Sequence, residues 1–198
     1  MSFTVTVTIR AIPIPLIASG GALGRVALAV PARSLSGLIL SSTRAHSDVD
    51  HISESFAREG GPEAGSVARR FWEAPTVDAL RDYVSTCFPL FGLSSPDPDG
   101  ARRTIVNADV LLRFCSQEHN TMDMRSGLSN ITCPTLVLSG GRDPISPLED
   151  VREMVAAIPE QLVSRELFRD QRHNLSKDHS EEYFSAIERW IAANAHLA

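Results

Sequence analysis

TLVLSGGRDPISP, residues 135–147, is the stretch that decides the fold. Its apolar run 135–138 breaks at two glycines and presents Asp143 between two turn-forming segments. This pattern predicts a buried strand that ends in a tight turn carrying a carboxylate. A second strand-like run, 162–168, follows, and His173 comes in the loop after it. Alone, Asp143 would be an ordinary turn former before proline and His173 a surface loop residue. Their order favours a site that joins the two side chains.

Length and composition are those of a globular protein with one core and room for an inserted subdomain. The chain has 198 residues, of which 43% are apolar and 22% charged. Lys and Arg number 19 against 24 Asp and Glu, which gives a net charge of −5. This balance disfavours nucleic acid and anionic membrane surfaces as partners.

The cysteines indicate a reducing compartment. Cys87, Cys115 and Cys133 are far apart, odd in number and without a CxxC pair, so the sequence predicts neither disulfides nor a metal site. The apolar run 11–18 follows Arg10 in the manner of a signal peptide. Its two prolines and its shortness favour core sequence instead. We therefore expect a cytoplasmic protein.

In the N-terminal part, the sequence pattern predicts alternating strands and helices. Residues 1–10 alternate apolar and polar side chains, which predicts a half-buried strand. Residues 16–19 predict a short strand, 22–33 a helix and 35–41 another buried strand. A strand, helix and strand in succession predict parallel pairing with a right-handed crossover.

The middle of the chain, 43–130, is polar and helical. It includes predicted helices at 62–72 and 77–87, the first preceded by a break at Gly60-Gly61-Pro62. Strand and helix signals then alternate again, with helices predicted at 148–158 and 181–195. The fold class is therefore α/β with a helical insertion between two strands.

The order of these parts resembles the α/β-hydrolase family, and within it the proline-iminopeptidase-like serine hydrolases with a helical cap. Five segments carry the resemblance: GGALGRVALAVPAR, LSGLILSST, FAREGGPEAGSVARRFWEAPTVDAL, TMDMRSGLSNITCPTLVLSGGRDPISP and RHNLSKDHSEEYF. It implies a partial α/β-hydrolase fold, namely the C-terminal half of a mostly parallel sheet. The core would consist of 1–42 and 131–198, and the cap of 43–130.

The resemblance assigns the triad acid to Asp143 and the general base to His173. The nucleophile should be a serine in a G-x-S-x-G elbow. Aligned by its glycines, this chain has Ala22 at that position, and aligned by the following helix it has Gly21. Neither side chain can attack a carbonyl. Ser19 lies close by, at the end of the preceding strand, and could serve only as a displaced nucleophile.

A second departure concerns what precedes the elbow. The family has four strands and an oxyanion loop of HGG type there, whereas this chain has about twenty residues and no HGG. We expect a truncated or decayed hydrolase, or a gene start that misrepresents the original N-terminus. Removing the neighbouring strands would expose the edge of the elbow strand. Either residues 1–10 or a second subunit would then cover it, and the second alternative predicts a homo-oligomer through the exposed sheet edge.

Candidate substrate-binding residues lie in the cap. Trp72 could line an acyl or prolyl pocket, although such aromatics more often belong to a core. Glu118 and Glu73 could bind the free amino group of a substrate, although carboxylates of this kind more often belong to solvated helix faces. His119, within a polar run, is expected at the surface of the cap.

Two functional hypotheses follow. The first is a hydrolase-family protein that acts on peptide, amide or ester bonds of a small molecule or peptide, without a cofactor, and whose activity is absent or strongly impaired. The second is a non-catalytic module that binds a small ligand or a partner. Loss of both properties would indicate a decayed fragment.

Overall fold

The computed structural model describes residues 16–18, 36–94, 99 and 107–194, and of residues 16–18 and Glu118 it describes the backbone only. The predicted strand 1–10, the predicted helix 22–33 and the candidate elbow lie outside the described residues.

A parallel sheet of four short strands organises the described residues. The strands are β1 (Leu16–Ala18), β2 (Leu38–Ser41), β3 (Thr135–Gly140) and β4 (Val163–Phe168). They lie side by side in that order, and each pair is parallel, with Leu38 beside Thr135 and Thr135 beside Val163. The parallel pairing predicted from the sequence is confirmed for β1 and β2.

Helices flank the strands, and those between β2 and β3 form the helical insertion. In chain order the helices are α1 (Val49–Glu73), α2 (Val77–Thr86), α3 (Ala108–Arg113), α4 (Arg125–Leu128), α5 (Leu148–Ala157), α6 (Leu175–Asp178) and α7 (Ser180–Asn194). Asp48 caps α1 by accepting from the N–H of His51 at 3.0 Å, and Thr76 caps α2 by accepting from Ala79 at 3.2 Å. Among the helices of the described residues, none combines the length with the apolar composition that a membrane crossing needs.

Both faces of β2 and β3 are covered. One face packs against α5 through Leu38, Leu40, Val137, Val151 and Met154. The other packs against α7 through Ile39, Leu136, Leu138, Ile187 and Trp190. A parallel strand that is buried on both faces needs apolar side chains at nearly every position. This requirement explains why β2 and β3 are recognisable as uninterrupted apolar runs.

A second core fills the helical insertion and is largely aromatic. The Tyr83 ring stacks on Phe71 with the centroids 4.5 Å apart. It also meets Phe56 and Trp72 edge to face, with centroids 5.7 and 5.8 Å away. Each such pair contributes about 0.5 to 1.5 kcal/mol beyond the buried area. These contacts hold α1 against α2.

The predicted break at Gly60-Gly61-Pro62 is a kink within α1. Gly61 has a φ of 85° and a ψ of 174°, a conformation that residues with a Cβ rarely adopt. Pro62, which lacks an N–H, follows at the point where the helical bonding is interrupted. The kink separates residues 49–60 of α1 from residues 62–73, and both parts contribute side chains to the aromatic core.

Candidate active site

Asp143 lies just beyond the carboxyl end of β3 and is only 2% exposed. Its Oδ1 accepts hydrogen bonds from the backbone N–H groups of Ile145 at 2.8 Å and Ser146 at 3.0 Å. These bonds close a tight turn of the kind that aspartates form with their own backbone. They fix the carboxylate in one orientation, with Oδ2 turned towards the loop after β4.

His173 lies in that loop, and its ring meets the carboxylate of Asp143. The Nδ1 atom is 2.9 Å from Oδ2 and 3.1 Å from Oδ1. Because a carboxylate accepts and does not donate, the hydrogen belongs on Nδ1. This assignment leaves Nε2 with a free lone pair. The ring is 24% exposed, so Nε2 is accessible to a proton donor.

The loops after β3 and β4 touch each other directly. The N–H of Arg142 donates to the carbonyl oxygen of Gln171 at 2.9 Å. A Cβ added at Gly140 would collide with the carbonyl oxygens of Gln171 and Arg172. Glycine therefore permits the approach that brings the acid and the base together.

The end of β2 supports the base from a third side. Ser42 follows β2 with a φ of 45°, the left-handed region that serine adopts only at a cost. Its Oγ donates to the carbonyl oxygen of His173 at 2.9 Å. On another side the ring of Phe91 lies 5.7 Å from the imidazole, edge to face. Three neighbouring strands thus present their carboxyl ends to one place.

A buried ion pair lies close to this site. Arg44 and Asp150 are 4% and 1% exposed, and Nη1 of the guanidinium is 3.5 Å from Oδ2 of the carboxylate. Burial lowers the pKa of Arg44, and Asp150 is the strongest influence in the opposite direction. Asp150 also binds Nδ1 of His51 at 2.5 Å, and this hydrogen bond raises the pKa of His51. One carboxylate therefore serves two basic groups.

His119 is buried, and the expectation that it lies on the cap surface is wrong. It is 6% exposed, and its ring lies against Trp72 with the centroids 4.3 Å apart. Its Nε2 accepts from Nη2 of Arg44 at 2.8 Å, so its Nδ1 donates to Oγ of Ser47 at 3.2 Å. Burial, and secondly the charge of Arg44, lower the pKa of His119 to about 4.

Two of the candidate substrate-binding residues, Trp72 and Glu73, are described with their side chains. Trp72 is 5% exposed and belongs to the aromatic core. The side chain of Glu118 lies outside the described part of the chain, and its backbone belongs to a π-helical turn, Phe114–His119. Glu73 is solvated and pairs with Arg69 at 3.1 Å. Roles for Trp72 and Glu118 in substrate binding stay predictions.

The structure does not describe the candidate nucleophile positions Ala22, Gly21 and Ser19. The three cysteines are buried, and burial raises the pKa of Cys87 and Cys115 to about 12 and also raises that of Cys133. Such thiols carry little thiolate and are poor replacements for a serine nucleophile. Within residues 16–18, 36–94, 99 and 107–194, no group of three or more metal-binding side chains is arranged to hold an ion.

The described residues combine a parallel sheet with a buried aspartate after one strand and a hydrogen-bonded histidine after the next, and they form part of an α/β-hydrolase fold. This finding confirms the fold class predicted from the sequence.

Solved structures of that fold match most of the chain. Proline iminopeptidase from Mycobacterium smegmatis is 17% identical, with a TM-score of 0.62, and the match covers 91% of this chain and 65% of that one. An α/β-fold family hydrolase from Bacillus anthracis str. Sterne is 18% identical, with a TM-score of 0.58 and coverages of 90% and 64%. The esterase EaEST from Exiguobacterium antarcticum is 18% identical, with a TM-score of 0.53 and coverages of 85% and 63%.

At these identities the likeness establishes the fold and leaves the reaction open. The chain spans slightly less than two thirds of the length of these three proteins. No model of a known protein family matches the chain, and no curated protein matches it either.

Proposed function

We propose that this chain is a member of the α/β-hydrolase superfamily, of the proline-iminopeptidase-like kind, in which Asp143 and His173 hold the positions of the catalytic acid and base. One observation carries the proposal. The Nδ1 atom of His173 lies 2.9 Å from the buried carboxylate of Asp143, at the carboxyl ends of two adjacent parallel strands.

The geometry fits acyl transfer by a hydroxyl nucleophile. In that reaction Nε2 of His173 takes the proton of a serine hydroxyl as its oxygen attacks the carbonyl carbon. Asp143 stabilises the imidazolium that forms and keeps the hydrogen on Nδ1. His173 then gives the proton to the departing amine or alcohol, and water removes the acyl group in a second cycle. Peptides, amides and esters are the substrates that this chemistry accepts.

The sequence offers no hydroxyl at the elbow, so we further propose that activity is absent or strongly impaired. Ala22, or Gly21 in the alternative alignment, occupies the position of the serine. An acid and base without a nucleophile cannot form the acyl intermediate, and only positioning and hydrogen-bond donors would remain to accelerate hydrolysis.

Labelling with a fluorophosphonate probe tests both proposals. We expect no labelled serine in the native chain and no turnover of activated esters or proline naphthylamide. Ala22→Ser should introduce a labelled serine, and adding His173→Gln should abolish the label. Stoichiometric labelling of the native chain would overturn the loss of the nucleophile. A label at residue 22 that persists without His173, or failure of both Ala22→Ser and Gly21→Ser to label, would overturn the assigned site.

Binding without catalysis is the second candidate function, and two buried groups in the helical insertion favour it. Trp72 Nε1 and Tyr83 Oη are enclosed, and neither makes a hydrogen bond of normal geometry with a described residue. Burial raises the pKa of Tyr83 and its contact with Trp72 opposes that rise, so the two groups satisfy each other only in part. Such groups favour a small ligand with a carbonyl or carboxylate oxygen, because an unsatisfied buried donor costs about 1 to 3 kcal/mol.

A thermal unfolding series with benzoate and N-acetylproline tests this candidate. A ligand that binds the folded chain raises the melting temperature in a saturable manner. We expect Tyr83→Phe to abolish that rise. The control is Tyr183→Phe, which should leave the rise unchanged because the hydroxyl of Tyr183 already donates to Ser41 at 3.0 Å. If neither compound raises the melting temperature of the native chain, that result would contradict a binding role for this site.

A further inference from the structure

Glu59 joins the two loops that carry the acid and the base. Arg142, directly before Asp143, donates to both carboxylate oxygens of Glu59, from Nε at 3.1 Å and from Nη2 at 2.8 Å. Arg172, directly before His173, donates to the same carboxylate from Nε at 3.1 Å. We propose that Glu59 is a positioning residue that keeps Asp143 and His173 in contact through these two arginines.

The three side chains form a partly shielded cluster. Glu59 is 11% exposed, Arg172 14% and Arg142 45%. Two-pronged pairing of an arginine with a carboxylate is stronger and more directional than a single contact. The cluster also carries two positive charges on one carboxylate. Without Glu59 the two guanidinium groups would repel each other across the gap between the loops.

Glu59 is one member of a polar stripe on the first half of α1. His51, Ser55 and Glu59 are four residues apart and therefore share one face. Ser55 Oγ donates to the backbone oxygen of Asp143 at 3.5 Å, and His51 binds Asp150 at 2.5 Å. This face thus contacts the segment from Arg142 to Asp150 along its length. Glu59 is the member of the stripe that also reaches the loop of His173.

The kink in α1 begins directly after this contact. Gly61, two residues beyond Glu59, has a φ of 85° and interrupts the helical conformation. Side chains on both sides of the kink pack in the aromatic core, Phe56 before it and Phe71 after it. Glu59 thus contacts the two loops immediately before the point at which the helix is interrupted.

The two arginines differ in what else holds them. Arg172 also donates to the carbonyl oxygen of Gly92, from Nη1 at 3.3 Å. Apart from Glu59, the Arg142 side chain has a charge attraction to Asp170 without a hydrogen bond. Loss of Glu59 should consequently loosen the loop of Asp143 more than that of His173. The catalytic meaning of the cluster rests on the proposed function, whereas the positioning itself is a property of the folded chain.

Hydrogen exchange in Glu59→Gln tests the proposal in the full chain. The reporters are the amides of Arg142, Ile145 and Ser146, whose bonds define the loop of Asp143. We expect their exchange to become about tenfold faster, the effect of losing a charge-assisted hydrogen bond on local opening. Glu54→Gln, an equal change of charge at an exposed position of the same half of α1, should leave them unchanged.

A spectroscopic signature separates positioning from general stability. The Nδ1 proton of His173, held by Asp143, should give a low-field proton resonance in the native chain. We expect Glu59→Gln to broaden or abolish this resonance. Glu59→Asp retains the charge at a shorter reach and should restore it in part.

Two results would overturn the proposal. The first is that Glu59→Gln keeps both the low-field resonance of His173 and the amide exchange rates of the Asp143 loop at their native values. The other is exchange that becomes faster by the same factor throughout the sheet, including Leu136, because that would show a general loss of stability. Neither measurement depends on turnover, so failure of the hydrolase proposal leaves both results interpretable.

Discussion

His173 Nδ1 and Asp143 Oδ2 lie 2.9 Å apart, although 30 positions separate the two residues in the chain. They meet because β3 and β4 are parallel neighbours, so the loops after them begin at the same edge of the sheet. The carboxylate fixes the hydrogen on Nδ1 and leaves Nε2 as the acceptor. The tautomer of His173 is therefore the property that most directly reports the state of the site.

Asp143→Asn should reverse that tautomer. The amide oxygen can still accept from Ile145 and Ser146, which turns the NH₂ group towards His173. Nδ1 must then accept, and the ring hydrogen moves to Nε2. Nitrogen NMR of histidine-labelled protein should show the change. We expect a loss of about 1 to 3 kcal/mol in the free energy of unfolding, since a buried charged acceptor is replaced.

Glu182→Gln is the matched control. It makes the same chemical change opposite an exposed histidine, His179, whose Nδ1 lies 3.2 Å from the carboxylate. Stability should stay within about 0.5 kcal/mol of the native chain, as for most surface substitutions. An unchanged tautomer of His173 in Asp143→Asn would contradict the assignment.

The pairing of Asp143 and His173 could be predicted from their order along the chain together with the resemblance to the α/β-hydrolase family. The buried strand β3 is recognisable as an apolar run, whereas β4 is largely exposed and gives a weaker signal. Only the contact between the two side chains needed the structure.

His119 could not be placed in this way. Its neighbours Gln117 and Asn120 are polar. In most proteins such neighbours indicate the exposed surface of a helix, but here they do not. Its burial comes from Arg44 and Ser47, which precede it by 75 and 72 residues. No pattern within one segment contains that information. The stripe of His51, Ser55 and Glu59 does have helical spacing. Its side chains are polar, however, so a search for apolar helix faces does not detect it.

Acidification should destabilise the protein through His119. The pKa of His119 is lowered to about 4 in the folded chain, against 6.5 for the free side chain. Between these values the unfolded chain binds more protons, so stability falls as the pH is lowered from 6.5 to 4. The loss approaches about 3 kcal/mol for a fully buried ring. Denaturant unfolding at a series of pH values measures it.

His119→Gln provides the comparison for that series. The variant loses the contact with Trp72 and should be less stable at pH 7. Its stability should nevertheless depend less steeply on pH between 6.5 and 4, because residue 119 no longer titrates. Equal slopes in the two proteins would contradict a buried neutral imidazole.

His51 should act in the opposite direction. The hydrogen bond that His51 Nδ1 donates to Asp150 raises the pKa of His51 in the folded chain. Its contribution is therefore complete below 6.5 and is lost as the pH rises through the folded value. The ring is 42% exposed, so solvent screens the effect and we expect it to be modest. Unfolding of His51→Gln above pH 6.5 should lack this decline, and a decline equal to that of the native chain would exclude His51 as its source.

Gly140→Ala should separate the loops that Asp143 and His173 occupy. The new methyl group would meet the backbone oxygens of Gln171 and Arg172, which cannot swing aside as a side chain can. Either β3 or the loop of His173 must move, at a cost of about 1 to 3 kcal/mol for an overpacked site. Denaturant unfolding measures that cost, and the low-field proton resonance of His173 measures the separation.

Gly60→Ala is the informative contrast to that substitution. Its methyl group meets Leu90 and Ala64 side-chain atoms, and a leucine can change its rotamer. Alanine also favours the helix by about 1 kcal/mol over glycine, which offsets part of the crowding. We expect a smaller loss of stability and an unchanged His173 resonance. If Gly140→Ala retained both the native stability and the resonance, glycine at position 140 would not be what allows the acid and base loops to approach.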